Sequence, residues 1–470
     1  MTLHQLRENH PRFVYKSYDV VDNGSDVLIT YEFVLEPDIV FHPKVTIPYA
    51  GDIRADTFVP YVFHLGLIEA ISYWKAACPS EFVVEAGQLT QEQIRFWYDL
   101  FIHGLGEFFY RNDIDFTRQD FLQIINGPAS GPGNRIRVSP RMGDATKPRR
   151  FSLQDSPGDL ILVGGGKDSA VTLGILKGIG NKFQTMVVNP TDAALANILE
   201  AGVVQPAIIE REIDPKLLKL NGAGYLNGHT PFSAYLAFLG ITVAFLYGND
   251  HVVVSNERSA EEGNVVYRGM EVNHQYSKSF RFEQAFRQYC RNFFDDSPLY
   301  FSFLRPLNDI QIGATFAGYP KFFSTFRSCN VGSKTNAWCG RCAKCAFTYL
   351  TLFPYISYQD ITTKIFGRDY LQSPEIIKHT RGLVGLTPVK PFECVGTRDE
   401  SKLAVVLCIE KYAQEGIEIP EGLLKIKSDL NPTDQEVAQL KEEVLHAWGD
   451  TYNLTPEYVT TLRNAWSKQE

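Results

Sequence analysis

Three stretches of the chain set chemically capable residues at spacings that ordinary core or surface sequence has no use for. The first is LILVGGGKDSAVTLG, residues 160–174, in which Gly164, Gly165 and Gly166 follow a branched apolar run and Lys167, Asp168 and Ser169 open a helical pattern. A strand-to-helix corner without side chains lets a ligand reach main-chain N–H groups, and the positive end of a helix favours an anion, most often a phosphate. Two familiar phosphate motifs do not match. A Walker A loop needs Gly where Ile161 stands and Ser or Thr where Asp168 stands. A dinucleotide fingerprint needs a third glycine where Ser169 stands, and an acid at the end of a second strand that reads VVNP.

The second stretch, FRSCNVGSKTNAWCGRCAKC, spaces Cys329, Cys339, Cys342 and Cys345 as C-x9-C-x2-C-x2-C. Thiolates so placed converge on one ion, and four of them leave no open position, so a structural Zn²⁺ is expected, with an iron–sulfur cluster as the alternative. The third, SNERSAEEGNVVYRGMEVNHQYSKS, is unusually polar after an apolar run. Arg258 suits a phosphate or carboxylate in bidentate fashion, and Asn264, Asn273, His274, Gln275 and Lys278 can read a polar substrate. His229 in NGHTP and Cys394 in KPFECVG add two more groups able to move a proton.

These residues need elements to position them. From residue 159 apolar strands alternate with helices: DLILVGG, then KDSAVTLGILKGIG, FQTMVVNP, DAALANILEAG, QPAIIERE, PFSAYLAFLGITVAFLYG and HVVVSNE. That rhythm predicts an α/β fold with a doubly wound parallel sheet. Ligands of such sheets sit beyond the carboxyl ends of the strands, which is where VGGGKDS, VVNP with Asn189, and VSNERSA with Asn256 fall. Residues 1–126 read as an N-terminal α+β domain, with a hairpin about Asn23-Gly24 and helices near 61–77 and 91–110. A Gly/Pro/Arg-rich segment at 127–157 reads as a linker or long functional loop, 158–355 as the domain with the glycine corner and the four-cysteine site, and 356–470 as a mostly helical region. A capping box, Thr433 to Glu436, marks one of its helices.

At 470 residues, two or three domains are expected. Lys plus Arg count 46 against 54 Asp plus Glu, a net charge of −8, which argues against broad nucleic-acid binding. An anionic ligand would then need local positive potential, from Lys167, Arg258, Lys278, Arg281 and Arg327. The start, MTLHQLRENHPRF, has no apolar secretory core, and no stretch is long and apolar enough to span a bilayer, so a soluble cytoplasmic protein without membrane partners is expected. Clustering of four of the eight cysteines fits metal ligation in a reducing compartment.

Gly165, Gly166, Asp168 and Ser169 match a Ser-Gly-Gly-x-Asp-Ser pattern in which Gly164 replaces the first serine. The corner thereby resembles the PP-loop ATP pyrophosphatases, whose likeness implies a HUP-like sheet, ATP and Mg²⁺, with the loop and helix N-terminus on the pyrophosphate end of ATP and Asp168 facing Mg²⁺. The cysteine site is similar to that of the PP-loop enzymes that make cyano-deazaguanine. The set VGGGKDS, NGHTP, SNERSA, EVNHQYSKS, WCGRCAKCAF and KPFECVG, across roughly 160–400, resembles the MurL family. That resemblance implies a role in bacterial cell-wall precursor synthesis: ATP-dependent inversion of the terminal L-Glu of UDP-N-acetylmuramoyl-L-Ala-L-Glu, releasing AMP and pyrophosphate. The chemistry is coherent, because the glutamate nitrogen lies in a peptide bond and cannot form a Schiff base. Adenylation removes the carboxylate charge and acidifies the α-proton. His229, His274, Lys278, Glu393 and Cys394 are the candidate inversion bases. Another adenylating PP-loop enzyme (cyano-deazaguanine synthase-like or tRNA-modifying) and a non-catalytic ATP-binding regulator are the alternatives. Only 135–150 is locally basic enough for tRNA, and a mere nucleotide sensor needs no second polar segment.

Overall fold

A computed structural model describes residues 1–49, 51, 53, 55–128, 134–138 and 158–467. Its strands are β1 (Arg12–Asp22), β2 (Asp26–Leu35), β3 (Ile39–Phe41), β4 (Lys44–Pro48), β5 (Glu81–Val84), β6 (Gln123–Asn126), β7 (Arg135–Val138), β8 (Asp159–Leu162), β9 (Phe183–Val188), β10 (Ala207–Glu212), β11 (His251–Val254), β12 (Val265–Tyr267), β13 (Met270–Val272) and β14 (Leu299–Ser302). The apolar runs after residue 159 form parallel strands in the order β14-β11-β8-β9-β10, with the expected helices Lys167–Gly178, Asp192–Glu200 and Phe232–Tyr247 between them. Chain order reverses between β8 and β11, and a crevice opens beyond the carboxyl ends of strands at such a point.

Both faces of these strands are covered. Leu160 and Leu162 enter one core, Ile161 and Val163 the other, as the two-residue period of a strand dictates. The helix Phe232–Tyr247 is apolar all round because it lies between the sheet and the helix Ala55–Trp74. The opposite face carries Lys167–Gly178 and, beyond it, the helices that follow residue 308.

The N-terminal region joins this sheet. β10 pairs antiparallel with β4, Glu210 opposite Thr46, and the sheet continues through β2, β1, β5 and β6. The hairpin about Asn23-Gly24 is present, with Gly24 at φ +83°. Expected as a unit of its own, 1–126 therefore shares a sheet and a core with the strands that follow. Most of the expected linker, 129–133 and 139–157, lies outside the described residues, but within it β7 pairs parallel with β1. After Ser302 every described regular element is helical, and Thr433 makes its reciprocal cap with Glu436. Among the described residues no helix is long and apolar enough to cross a membrane.

Candidate active site

The glycine corner follows β8 directly. Gly165 has φ +83°, and a Cβ there would lie 2.7 Å from the Ala194 nitrogen, so only glycine fits. Gly166 supplies no side-chain cap to the helix Lys167–Gly178, and the Lys167 N–H donates to Ser328 Oγ at 3.1 Å. Lys167 does not reach outward. Its buried ammonium lies 2.5 Å from Asp168 Oδ1 and 2.8 Å from Asp309 Oδ1. Burial lowers its pKa, but the two carboxylates outweigh this and hold it charged. Asp168 is likewise kept ionised, with Lys167, Lys344 and Lys278 overcoming the effect of burial.

A cavity of about 400 Å³ opens where the strand order reverses. Gly164, Gly166, Asp168, Ser169, Asn189, Asn256, Lys278, Arg327 and Cys394 line it. Asn189, at φ +42°, clamps the end of β9 to β10 by exchanging side-chain bonds with the Arg211 backbone at 2.8 Å each. Asn256 Nδ2 donates to Ser302 Oγ at 3.2 Å, tying the ends of β11 and β14. Arg258 is placed elsewhere: its Nε donates to Asn308 Oδ1 at 3.0 Å and its head reaches the Glu443 carbonyl, so it fastens the C-terminal region rather than facing the cavity. Arg281 pairs with Asp99 at the surface. Glu257, buried beside Asn256, has its pKa pushed up to about 7 by burial.

At the far side of the cavity stand Lys278 and Cys394. The loop bearing Cys394 is pinned by Gln275 Nε2 to the Val395 carbonyl at 3.0 Å, by Asn264 Nδ2 to that of Pro391 at 2.8 Å, and by Lys390 Nζ to that of Gly396 at 3.2 Å. Lys344 donates to the Cys394 carbonyl. Behind the thiol, His274 Nε2 lies 3.8 Å from Cys394 Sγ, and His274 Nδ1 lies 2.5 Å from Glu107 Oε2. His229 Nδ1 approaches the same carboxylate oxygen at 3.4 Å, and Arg111 Nε donates to Oε1 at 2.5 Å. Burial raises the Cys394 thiol, yet Lys278, His274 and Lys344 outweigh it and bring it down to about 5. Burial pulls His274 down, yet its bonds to Cys394 and Glu107 lift it to about 9. His229 is pushed down to about 3, by burial and then by the positive His274. His274 and Cys394 thus each favour the charged form of the other. Glu107, which joins both histidines, escaped sequence reasoning. Its signal was a lone acid inside GLGEFFY, an apolar aromatic run where a buried charge needs a partner.

The four clustered cysteines meet as the spacing requires, all sulfurs within 4.8 Å of one another. Cys339 and Cys345 sulfurs are 3.8 Å apart, the separation expected of a tetrahedron with Zn–S of about 2.3 Å. The Gly332 and Cys339 N–H groups point at Cys329 Sγ, and the Cys345 N–H at Cys342 Sγ, as backbone donors do around bound thiolates. The donor set fits Zn²⁺.

The chain matches the MurL N-terminal domain over residues 4–303 and the MurL C-terminal domain over residues 321–437. A protein of Xanthomonas oryzae pv. oryzae named UDP-N-acetyl-alpha-D-muramoyl-L-alanyl-L-glutamate epimerase is 31% identical over 442 residues, spanning 91% of this chain and 92% of its own. A protein of the same name from Salinispora tropica is 32% identical over 422 residues, 88% of either chain. No solved structure matches. With both domains matched in order and relatives of that identity covering nearly the whole length, the chain belongs to the MurL family.

Proposed function

We infer that the chain is an epimerase of UDP-N-acetyl-α-D-muramoyl-L-alanyl-L-glutamate, inverting the terminal L-Glu to D-Glu for peptidoglycan precursor synthesis. ATP supplies acidity rather than driving force, since inversion of one centre has almost no free-energy change of its own. The glutamate carboxylate attacks the α-phosphorus, and pyrophosphate leaves with the electrons of the broken P–O bond. The uncharged acyl adenylate releases its α-proton far more readily than the carboxylate does. After reprotonation on the other face, water cleaves the adenylate to carboxylate and AMP.

The observation that carries this reading is that the glycine corner opens on the same cavity as Lys278 and Cys394, at the reversal of strand order. An anion-binding end and a proton-transfer end then lie within reach of one substrate. The corner's likeness to the PP-loop pattern supports pyrophosphate at Gly164–Ser169, with the Asp168 carboxylate toward Mg²⁺, in a doubly wound PP-loop fold. The four-cysteine site supports a structural Zn²⁺ that fixes the segment carrying Ser328 and Lys344 beside the corner.

One incubation tests it. With ATP, Mg²⁺ and UDP-muramoyl-L-Ala-L-Glu, chiral analysis should show D-Glu while AMP and pyrophosphate accumulate. Asp168→Ala should lower both at least a hundredfold, the scale of losing a charge-stabilising group. ADP with orthophosphate, or inversion without nucleotide, would remove the glycine corner from the reaction.

A further inference from the structure

The cavity holds a thiol whose surroundings are built from three remote parts of the chain. His274 lies 120 residues before Cys394, and Glu107 another 167 before His274. Resting on the epimerase reading above, we propose that Cys394 is the acid–base group for one face of the glutamate α-carbon, with His274 and Glu107 as its positioning residues.

Geometry comes first. Cys394 lines the cavity, and His274 and Glu107 stand behind it, out of a ligand's reach. Glu107 holds His274 through Nδ1, which turns Nε2 toward the sulfur and favours the doubly protonated ring. The charged groups facing the thiol are Lys278, His274, Lys344 and Glu393; those facing His274 are Glu107 and His229, and Arg111 binds the far oxygen of Glu107. Three cations against one exposed-side carboxyl favour the anionic sulfur. Glu393, next in the chain, is itself pushed up by burial and bound by Asn330, so it adds little opposing charge. Glu107 offsets the charge of His274 without touching the thiol.

The step balances. The thiolate takes the α-proton of the acyl adenylate, forming S–H. The C–H electron pair moves into the acyl carbonyl as an enolate, beside the ammonium of Lys278. The opposite face receives its proton from an oxygen or nitrogen acid in exchange with water. In the reverse direction the same thiol returns its proton to carbon and the thiolate is restored. His274 stays protonated throughout, because Glu107 and the sulfur hold its two N–H groups in turn.

Two measurements on the full chain test this. The first needs neither ATP nor substrate: the rate of iodoacetamide labelling at Cys394, read by peptide mass spectrometry from pH 4 to 10. The midpoint should lie near 5, against about 8.5 for an ordinary thiol. It should climb by at least one unit in His274→Gln and by a smaller step in Glu107→Gln, shifts that loss of packing alone would not produce. A wild-type midpoint above 8, or unmoved midpoints in both variants, would overturn the proposal. The second follows Cys394→Ser with ATP, Mg²⁺ and substrate in D₂O. AMP released per glutamate inverted should rise at least a hundredfold, with the α-position keeping its hydrogen. A serine variant that inverts with wild-type coupling, or that loses AMP release and inversion in equal proportion, would also overturn it. Failure of the ATP-activation reading shows itself differently, as inversion by the wild-type chain without AMP, and leaves the labelling result standing.

Discussion

Cys329, Cys339, Cys342 and Cys345 stand on one short stretch of chain and face one another, whereas Cys394 meets Lys344 and His274 from segments 50 and 120 residues away. Both centres gather negative sulfur in a partly buried place, and they neutralise it by different means. Four sulfurs within 4.8 Å repel one another as thiolates and need a cation at their middle. Cys394 has its cations already, in Lys278, His274 and Lys344. Four thiolates around one ion would leave no coordination position open, whereas the Cys394 sulfur has no such cage and lines the cavity. The same functional group becomes a staple or a reagent according to whether its counter-charge is shared out or left facing space.

The largest effect expected from this contrast is on stability. Cys345→Ser should empty the metal site and lower the unfolding free energy by several kcal/mol, because metal binding is coupled to folding. Cys394→Ala should leave metal content at one per chain and change stability by less than about 2 kcal/mol. Elemental analysis with denaturant unfolding checks both, and equal losses would erase the distinction between the centres. Iron and sulfide in place of zinc would keep the contrast but change the staple.

A smaller effect follows from Lys278→Met. Lys278 is the largest single influence that brings the Cys394 thiol down, so its loss should raise the labelling midpoint by about one unit and slow labelling at pH 5 about fivefold. If the midpoint stays near 5, His274 alone holds the anion. The smallest effect is in the pH dependence of folding. Cys394 is lower in the folded chain than in the unfolded, so its contribution is complete above about 8.5 and lost as pH falls through about 5. His274 is higher when folded, so its contribution is complete below about 6.5 and lost as pH rises through about 9. Their mutual attraction needs both charges. The stability difference between wild type and Cys394→Ala with His274→Gln should therefore peak near pH 7 and shrink toward pH 4 and pH 10, as urea unfolding would record.

What was legible in the sequence divides along the same line. The apolar strands β8 to β11 and their helices follow local periodicity, and each appears within a few residues of its expected place. The cysteine cluster is also local, since its spacing alone brings the sulfurs together. The corner's bare backbone was readable from three glycines after an apolar run, but the direction of Lys167 was not. Its length permits either an outward or an inward course, and the buried Asp309, more than a hundred positions away, decides it. Arg258 fails as a ligand group for a similar reason: Asn308 and the Glu443 carbonyl engage it first. The pairing of β4 with β10 joins two regions whose compositions look separate, and β14 is only four residues of mixed character. Glu107 shows the limit most clearly, because Arg111 lies near it in the chain but His229 and His274 come from more than a hundred positions away.

The distance between those partners has a temporal consequence. Glu107 emerges early in synthesis and Cys394 late, so a nascent chain, or one clipped between them, carries an ordinary thiol with an ordinary affinity for its proton. Only the completed fold brings ammonium, imidazolium and sulfur together. Until then that sulfur keeps the lower reactivity of an ordinary thiol.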